Sequence, residues 1–200
     1  MSRRRLRPLR PDELDPDQRA VYDALADPPG RVGLDADGSL RGPFDAMLRA
    51  PRSGAALQSV GAALRYGSVL PERVRELATL QVAAHHRSDF EWFAHAPLAT
   101  AAGLPAALVD AVRTGGPVEP DDPAERAASV AVTQLLATGD VDDDAWAGVV
   151  GALGEAGAVE LTTLVGYYSL LAMQMRVLRV PLPPDAPAVG WDGPRGIIGE

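Results

Sequence analysis

The stretch PERVRELATLQVAAHHRSDFEWFAH, residues 71–95, contains two helix signals in succession. Proline followed by glutamate is favoured in the first turn of a helix, which predicts a helix over residues 71–87. The residues SDFE at 88–91 match the S-x-x-E pattern of a capping box, which predicts a second helix over residues 88–102. Because the connection between them is so short, we expect the two helices to pack as neighbours.

Helix signals recur along most of the chain, and strand signals are nearly absent. No run of β-branched residues alternates with polar residues between turn residues, so the predicted fold class is all-α. Asp15 and Pro16 suit the cap and first turn of the first long helix. Outside residues 71–102, helices are predicted over residues 16–26, 44–50, 52–66, 105–113, 123–138, 142–155 and 157–179, with a break near Gly157.

The chain length and one pentapeptide that occurs twice in similar form are informative about domain organisation. A chain of 200 residues fits one medium domain. We expect a single helical domain over residues 11–180, after an arginine-rich basic arm at 1–10 and before a proline-rich tail at 181–200. The pentapeptide ELATL at 76–80 is echoed by ELTTL at 160–164. The echo is consistent with two weakly related helical halves, and also with chance in a chain rich in Leu, Ala and Thr.

Composition excludes several kinds of chemistry. The chain has no cysteine, which removes disulfides, thiolate metal ligands, cysteine nucleophiles and thiol peroxidase activity. All 19 basic residues are arginine, so Schiff-base, pyridoxal-phosphate and P-loop lysines are excluded as well. A net charge of −8 argues against nucleic acid as a partner.

The distribution of apolar residues bears on location and assembly. Uninterrupted apolar runs fall short of the roughly 18 residues that a membrane span needs. The basic N-terminus is not followed by the apolar region of a secretory signal. We therefore expect a cytoplasmic protein without a membrane partner. The segment 157–179 is apolar nearly all round, which predicts a homo-oligomer; the alternative is a central helix of a monomeric bundle.

The densest group of polar side chains lies on the two helices of residues 71–102. Glu76 stands among apolar residues of the first helix. Glu91 and His95 are four residues apart and so share one face of the second helix. If the helices pack as neighbours, Glu76 lies near both. A buried carboxylate beside an imidazole can hold a proton donor and a proton acceptor at neutral pH, so these three are the candidate catalytic residues.

Each of these residues also has an ordinary structural interpretation. A capping box alone accounts for Ser88 and Glu91. An exposed pair with i,i+4 spacing accounts for Glu91 and His95. Glu76 can instead pair with a neighbouring arginine of its own helix on a solvated face.

Three further residues are candidates for substrate binding. Ser88 can hydrogen-bond a substrate or water at the helix N-terminus. Trp92 is a candidate stacking surface, although a place in the core explains it as well. His86 and its neighbour His85 point in different directions on a helix, so at most one of them can join His95, and a solvated role suits both.

A metal site is not predicted. Glu76, Glu91 and His95 are residue types that bind zinc or iron. The di-iron helical bundles, however, use the Glu-x-x-His spacing twice, and this chain has Glu-x-x-x-His once.

Several short runs together resemble the carboxymuconolactone decarboxylase family, which includes the AhpD-like alkylhydroperoxidases. These runs are RELA at 75–78, DFEWFAH at 89–95 and AGL at 102–104. The segment GPFDAML at 42–48 and the pair Tyr167-Tyr168 extend the resemblance to roughly residues 10–185. The resemblance implies an all-α AhpD-like helical bundle that assembles as a trimer or hexamer.

The resemblance also implies two possible chemistries. In the peroxidase branch a Glu, a Cys-x-x-Cys pair and a His form a redox centre. The Glu matches Glu76 and the His matches His95, but the cysteine positions fall on Ser88 and Glu91, so disulfide-based peroxide reduction is not expected. The decarboxylase branch moves protons around an enolisable lactone, which needs an acid–base pair in a shielded pocket.

Two functional hypotheses follow. The first is a cofactor-free enzyme for decarboxylation, isomerisation, dehydration or a related proton transfer on a small organic acid, lactone or polyketide-like substrate. His95 would be the general acid/base, Glu76 its orienting or relaying partner and Glu91 the second carboxylate. The second is a non-catalytic oligomer that binds a small ligand or partner protein. The enzyme hypothesis expects the three side chains together and buried, whereas the binding hypothesis expects them apart or solvated.

Overall fold

The computed structural model describes residues 4–27, 32–184 and 186–191. These residues form eight α-helices and no β-strand, so the predicted all-α class is confirmed. A single isolated bridge joins Leu34 and Leu40 in the first long loop. The helices are α1 (Pro16–Ala26), α2 (Phe44–Arg49), α3 (Pro51–Tyr66), α4 (Glu72–His86), α5 (Asp89–Ala101), α6 (Ala106–Thr114), α7 (Pro123–Thr138) and α8 (Asp143–Leu178).

The ends of the helices follow the local signals in most places. Asp15 caps α1 by accepting a hydrogen bond from the backbone N–H of Gln18, whose side chain bonds back to the Asp15 N–H. The break predicted near Gly157 lies three residues earlier, at Gly154, where the backbone leaves helical geometry with φ 74° and ψ 170°. Glycine takes a positive φ without a side-chain clash, which is why the break can lie at this residue.

The chain forms two compact units, and the expectation of a single domain over residues 11–180 stays a prediction. The first unit comprises Met1–Gly67 with Met173–Leu182, and the second comprises Ser68–Ala172 with Pro183–Glu200. In the first unit α1, α2 and α3 pack on one another. The buried apolar side chains of this unit include Val21, Leu25, Leu40, Met47, Leu48 and Leu64.

The described part of the basic arm packs within the first unit. Arg4 forms a salt bridge of 3.2 Å with Asp45 of α2, and the backbone N–H of Leu9 donates to the same carboxylate at 2.8 Å. Asp45 is buried, and these two contacts satisfy both of its oxygens. Residues 1–3 of the arm and residues 185 and 192–200 of the predicted tail lie outside the described residues.

The close approach of α2 and α3 depends on a glycine. A Cβ added at Gly54 would lie 2.1 Å from the carbonyl oxygen of Met47, which is backbone and cannot turn away. We therefore expect Gly54→Ala to destabilise the protein by roughly 1–3 kcal/mol. Urea unfolding measures this change. Gly148→Ala is the matched control, because a Cβ at Gly148 meets no atom within 4 Å; equal stability of the two variants would contradict the packing described here.

Helix α4 is central to the second unit and packs against α5, α6 and α7. It ends at Arg87, which has the left-handed conformation with φ 47° and ψ 50°. The N–H of Ser88 donates to the carbonyl of Ala83 at 2.8 Å, as in a Schellman motif. This tight reversal sends α5 back along α4 and brings residues far apart in the chain onto facing surfaces.

One helix in the described part of the chain, α8, is long and apolar enough to cross a membrane by length and composition. Core helices of soluble proteins pass the same test, and 33% of the most apolar window of α8 is buried. The expectation that the chain has no membrane partner therefore stays a prediction.

Candidate active site

Glu76 of α4 and His95 of α5 form a buried hydrogen-bonded pair. Nδ1 of His95 lies 2.7 Å from Oε2 of Glu76, and both side chains are about 5% exposed. A carboxylate can only accept, so the imidazole donates from Nδ1 when Glu76 is ionised. The neutral ring in this tautomer has a lone pair on Nε2, and the hydrogen bond to Glu76 sets the orientation of the ring.

Glu91 lies on the other side of the same imidazole. Its Oε2 is 3.6 Å from Nε2 of His95, which is longer than a hydrogen bond. Its Oε1 is buried and has no hydrogen-bond partner among the described residues. Burial raises the pKa of Glu91 to about 7, and His95, when it is protonated, opposes part of that rise. Glu91 therefore keeps its proton at pH values where an ordinary glutamate has lost it.

The capping box expected at residues 88–91 does not form. Ser88 occupies the N-cap position of α5, but its side chain makes no capping hydrogen bond. Glu91 is directed at His95 rather than back at the Ser88 backbone. The helix start was predicted correctly, although the contact expected to produce it is absent. The Glu91 side chain is instead available to the site.

Arg75 also contributes to the site, and sequence reasoning gave it no role there. Its Nε lies 3.5 Å from Oε1 of Glu76, and its Nη2 lies 3.7 Å from Glu72. The attraction between Arg75 and Glu76 holds one carboxylate oxygen while the other meets His95. The alternative of an arginine pairing with Glu76 on a solvated face is therefore only half right, because the paired Arg75 side chain is 15% exposed.

Two tyrosines of α8 complete the surroundings of the imidazole. The ring of Tyr168 meets His95 edge-on, with centroids 5.0 Å apart and planes at 84°. Burial and the charge of Glu91 raise the pKa of Tyr167 to about 12, so its phenol is neutral at physiological pH and can donate a hydrogen bond. The resemblance included both tyrosines, but no local spacing signal ties them to residues on α4 and α5.

The three predicted substrate-binding residues have different surroundings. Ser88 is buried, one turn before Glu91. Trp92 lies in a hydrophobic cluster with Leu77 and Leu80 and meets Trp191 edge-on, with centroids 5.3 Å apart. His86 ends α4 and meets His85 edge-on. Substrate binding by these three residues stays a prediction.

No group of three or more His, Asp or Glu side chains among the described residues is arranged to hold a metal ion. The site has three titratable groups of its own. These are an oriented imidazole, a carboxylate on Nδ1 and a second carboxyl group near Nε2.

Solved structures of similar fold include the debrominase Bmp8 in two forms. One is a cysteine-to-alanine variant in complex with 2,3,4-tribromopyrrole, with a TM-score of 0.66 and 13% identity, covering 88% of this chain and 90% of that chain. The other is the apo protein, with a TM-score of 0.65 and 13% identity, covering 88% and 91% of the two chains. At this identity the likeness shows the fold alone.

The sequence itself matches one family. No curated protein matches it closely enough to count as a relative. Residues 51–134, from α3 to most of α7, match the model of the Carboxymuconolactone decarboxylase family. That range contains Glu76, Glu91 and His95. The match confirms the resemblance that the motifs around these three residues predict, over residues 51–134 of the 200-residue chain.

Proposed function

We propose that this protein is a cofactor-independent acid–base enzyme of the carboxymuconolactone decarboxylase type. It would move a proton on a small organic acid or lactone, as in decarboxylation or isomerisation. The observation that carries the proposal is the buried group Glu76–His95–Glu91, in which an oriented imidazole lies between two carboxyl groups. Burial of all three side chains supports catalysis over a non-catalytic binding role, which expects them apart or solvated.

The proposed mechanism assigns one task to each side chain. Glu76 accepts the hydrogen bond that His95 donates from Nδ1, which keeps the imidazole in the tautomer whose Nε2 is basic. Nε2 removes a proton from a carbon next to a substrate carbonyl, and Glu76 stabilises the imidazolium that forms. In isomerisation Glu91, with a pKa of about 7, then delivers a proton to the other end of the enolate system. In decarboxylation the bond to the carboxylate breaks, CO₂ leaves with no proton removed from carbon, and Glu91 protonates the enolate carbon that held it. A pKa near the working pH serves both giving and taking a proton.

Proton exchange tests the proposal without knowledge of the full reaction. The pure protein is incubated in D₂O with a panel of carboxylated γ-lactones and β-keto acids, and NMR follows deuterium incorporation and release of CO₂. We expect exchange or turnover with at least one member of the panel, and loss of it in His95→Gln. Exchange that is equally fast with His95→Gln would contradict the proposal.

We further propose that the protein acts as a homo-oligomer, as a trimer or a hexamer. Support comes from an exposed apolar patch in the second unit. Val69 and Val159 are each more than half exposed, and the Val69 N–H donates to Oε2 of Glu160, the residue that follows Val159, at 2.7 Å. If the two valines form one exposed apolar surface, it is of the kind that protein interfaces cover.

Light scattering after size exclusion tests the assembly. We expect a mass several times the 21.0 kDa of one chain at micromolar concentration. Val159→Arg should shift the protein toward the monomer, because a charge is costly to bury in an apolar interface. Val130→Arg is the matched control, since Val130 is an exposed valine on α7. A wild-type monomer, or dissociation by Val130→Arg alone, would contradict the proposed interface.

A further inference from the structure

The N-terminus of α5 carries hydrogen-bond donors that the fold leaves without acceptors. The first N–H groups of any helix lack acceptors within the helix, and a cap side chain usually accepts from one of them. In α5 the first backbone bond runs from the Trp92 N–H to the Ser88 carbonyl at 3.0 Å. The N–H groups of Phe90 and Glu91, which a cap would bind, have no acceptor among the described residues. Two aligned donors therefore remain at this end of the 13-residue helix.

Ser88 adds a third donor at the same place. It occupies the N-cap position and is 8% exposed. Its backbone N–H and carbonyl are bonded to Ala83 and Trp92, but its hydroxyl has no hydrogen-bond partner in the part of the chain that the structure describes. A buried hydroxyl without a partner is unfavourable, and a ligand oxygen that accepts from it would remove this cost.

Glu91 is a second buried side chain with an unpaired polar atom. Its Oε1 has no hydrogen-bond partner among the described residues, and its side chain is 4% exposed. Ser88, Glu91 and His95 are spaced three and four residues apart, so they lie on one face of α5. Unpaired polar atoms of two buried side chains thus occur on the face that carries the candidate general base. Native proteins rarely leave such atoms unpaired unless a ligand or water bonds them.

The spacing along α5 suits a small carbonyl compound. The Cα atoms of Ser88 and His95 are about 10.5 Å apart along the helix axis, at 1.5 Å per residue. Nε2 of His95 lies 3.6 Å from Oε2 of Glu91, which is one turn nearer the N-terminus, so the basic atom is on the side of Ser88. Side chains of a helix lean toward its N-terminus, which shortens the gap further. A carbonyl compound whose α-carbon meets Nε2, at the roughly 3 Å of a reactive contact, can therefore direct its carbonyl oxygen to Ser88.

The electrostatic surroundings favour an oxygen that gains negative charge. The N-terminus of a helix is the positive end of the helix dipole. The first turn of α5 also holds two acidic side chains, Asp89 and Glu91. Asp89 is exposed, so solvent and salt screen its charge. Burial raises the pKa of Glu91 to about 7, so this side chain is largely uncharged at pH 6 and does not repel an anion there.

We propose that the N-terminus of α5 is the oxyanion site of the reaction, and that Ser88 is a catalytic residue in it. The Ser88 hydroxyl and the N–H groups of Phe90 and Glu91 donate to the carbonyl oxygen of the substrate. As Nε2 of His95 takes the α-proton, the electrons of the C–H bond form a C=C bond, and the carbonyl π electrons move onto that oxygen. Decarboxylation forms the same enolate from the C–C bond. The substrate class is a small lactone, ester or ketone with an acidic α-C–H or an α-carboxylate, and this inference rests on the proposed function.

Tetronate tests the oxyanion site directly, because it is a stable five-membered lactone enolate, and γ-butyrolactone is the matching neutral lactone. Calorimetric titration of the full chain at pH 6 compares the two probes. We expect tetronate to bind at least about tenfold more tightly, since hydrogen bonds to a charged oxygen are stronger than those to a neutral one. Absence of tetronate binding at millimolar concentration, or equal affinity for the two probes, would overturn the proposal.

Ser88→Ala connects the binding to the named hydroxyl. We expect it to bind tetronate at least about tenfold more weakly, and γ-butyrolactone with a smaller change. Because Ser88 makes no capping bond, the melting temperature should match that of the wild type, whereas the loss of a helix cap would lower it. Ser59→Ala is the control, since it removes an exposed hydroxyl of α3 that donates to the Ala55 carbonyl. Wild-type affinity for tetronate in Ser88→Ala would overturn the role of the hydroxyl.

Proton exchange distinguishes a failure of this inference from a failure of the proposed function. Where the wild type exchanges substrate protons, Ser88→Ala should lower kcat by about 10²-fold with little change in KM, because the donors act on charge that forms in the transition state. Exchange that is equally fast in Ser88→Ala would overturn the oxyanion role and leave the function proposed for His95 intact. Tetronate binding that depends on Ser88, without exchange of any substrate, would contradict the proposed function and support the site at α5.

Discussion

Replacing His95 with glutamine is expected to lower turnover by about 10²- to 10⁴-fold. Glutamine is similar in size and can still hydrogen-bond Glu76, but it cannot accept a proton at Nε2 and return it. The melting temperature should change little, because the side chain remains buried and bonded. Steady-state kinetics on a substrate found by deuterium exchange, with circular dichroism for the fold, make the comparison.

Two companion variants make this result specific. Glu76→Gln should also reduce the rate and should alter the pH–rate profile, because the carboxylate that orients the ring and stabilises the imidazolium is gone. Trp146→Phe changes an exposed tryptophan of α8 that has no role in the candidate site, and it should leave the rate within a few-fold. Unchanged turnover in His95→Gln would remove the imidazole from the mechanism.

Glu91→Gln is expected to change how stability depends on pH. Burial raises the pKa of Glu91 from 4.5 to about 7 in the folded protein. Between these values the folded state keeps the proton that the unfolded chain has lost, so wild-type stability falls as pH rises through this window. The glutamine variant cannot titrate and should lack this part of the dependence. The difference between pH 5 and pH 8 should be about 2 kcal/mol.

Urea unfolding of both proteins at a series of pH values measures the effect. Glu13→Gln is the control for a general charge effect. Arg7 and the Arg10 backbone hold the pKa of Glu13 at about 2, so its carboxylate favours the folded state at all pH values in the series. Glu13→Gln should therefore not gain stability over the wild type as the pH rises from 5 to 8. Parallel curves for wild type and Glu91→Gln would mean that Glu91 has an ordinary pKa.

The helices could largely be predicted because their ends depend on neighbouring residues. Asp15, followed by proline and by Gln18, contains the whole capping box of α1 within four positions. The break in α8 could not be placed, since the helix contains several glycines and the preference for Gly154 over Gly157 is not a local property.

The sequence predicts only the part of the candidate site that lies on the neighbouring helices α4 and α5. Glu76, Glu91 and His95 lie on two helices joined by a short turn, so residue spacing alone predicts that they meet. Whether Glu91 caps α5 or faces His95 depends on its rotamer and its burial, which spacing does not encode. Tyr168 comes from α8, and only the folded chain brings it to the imidazole.

The most direct test of the account is the titration of the Glu91 carboxyl group itself. The Glu91 signal can be assigned in ¹³C-glutamate-labelled protein by its absence from Glu91→Gln, and its shift followed from pH 3 to pH 9. We predict a midpoint near pH 7, with the ring signals of His95 responding to the same titration. A Glu91 midpoint near its ordinary value of 4.5, with His95 unaffected, would contradict the buried acid–base group on which the proposed function depends.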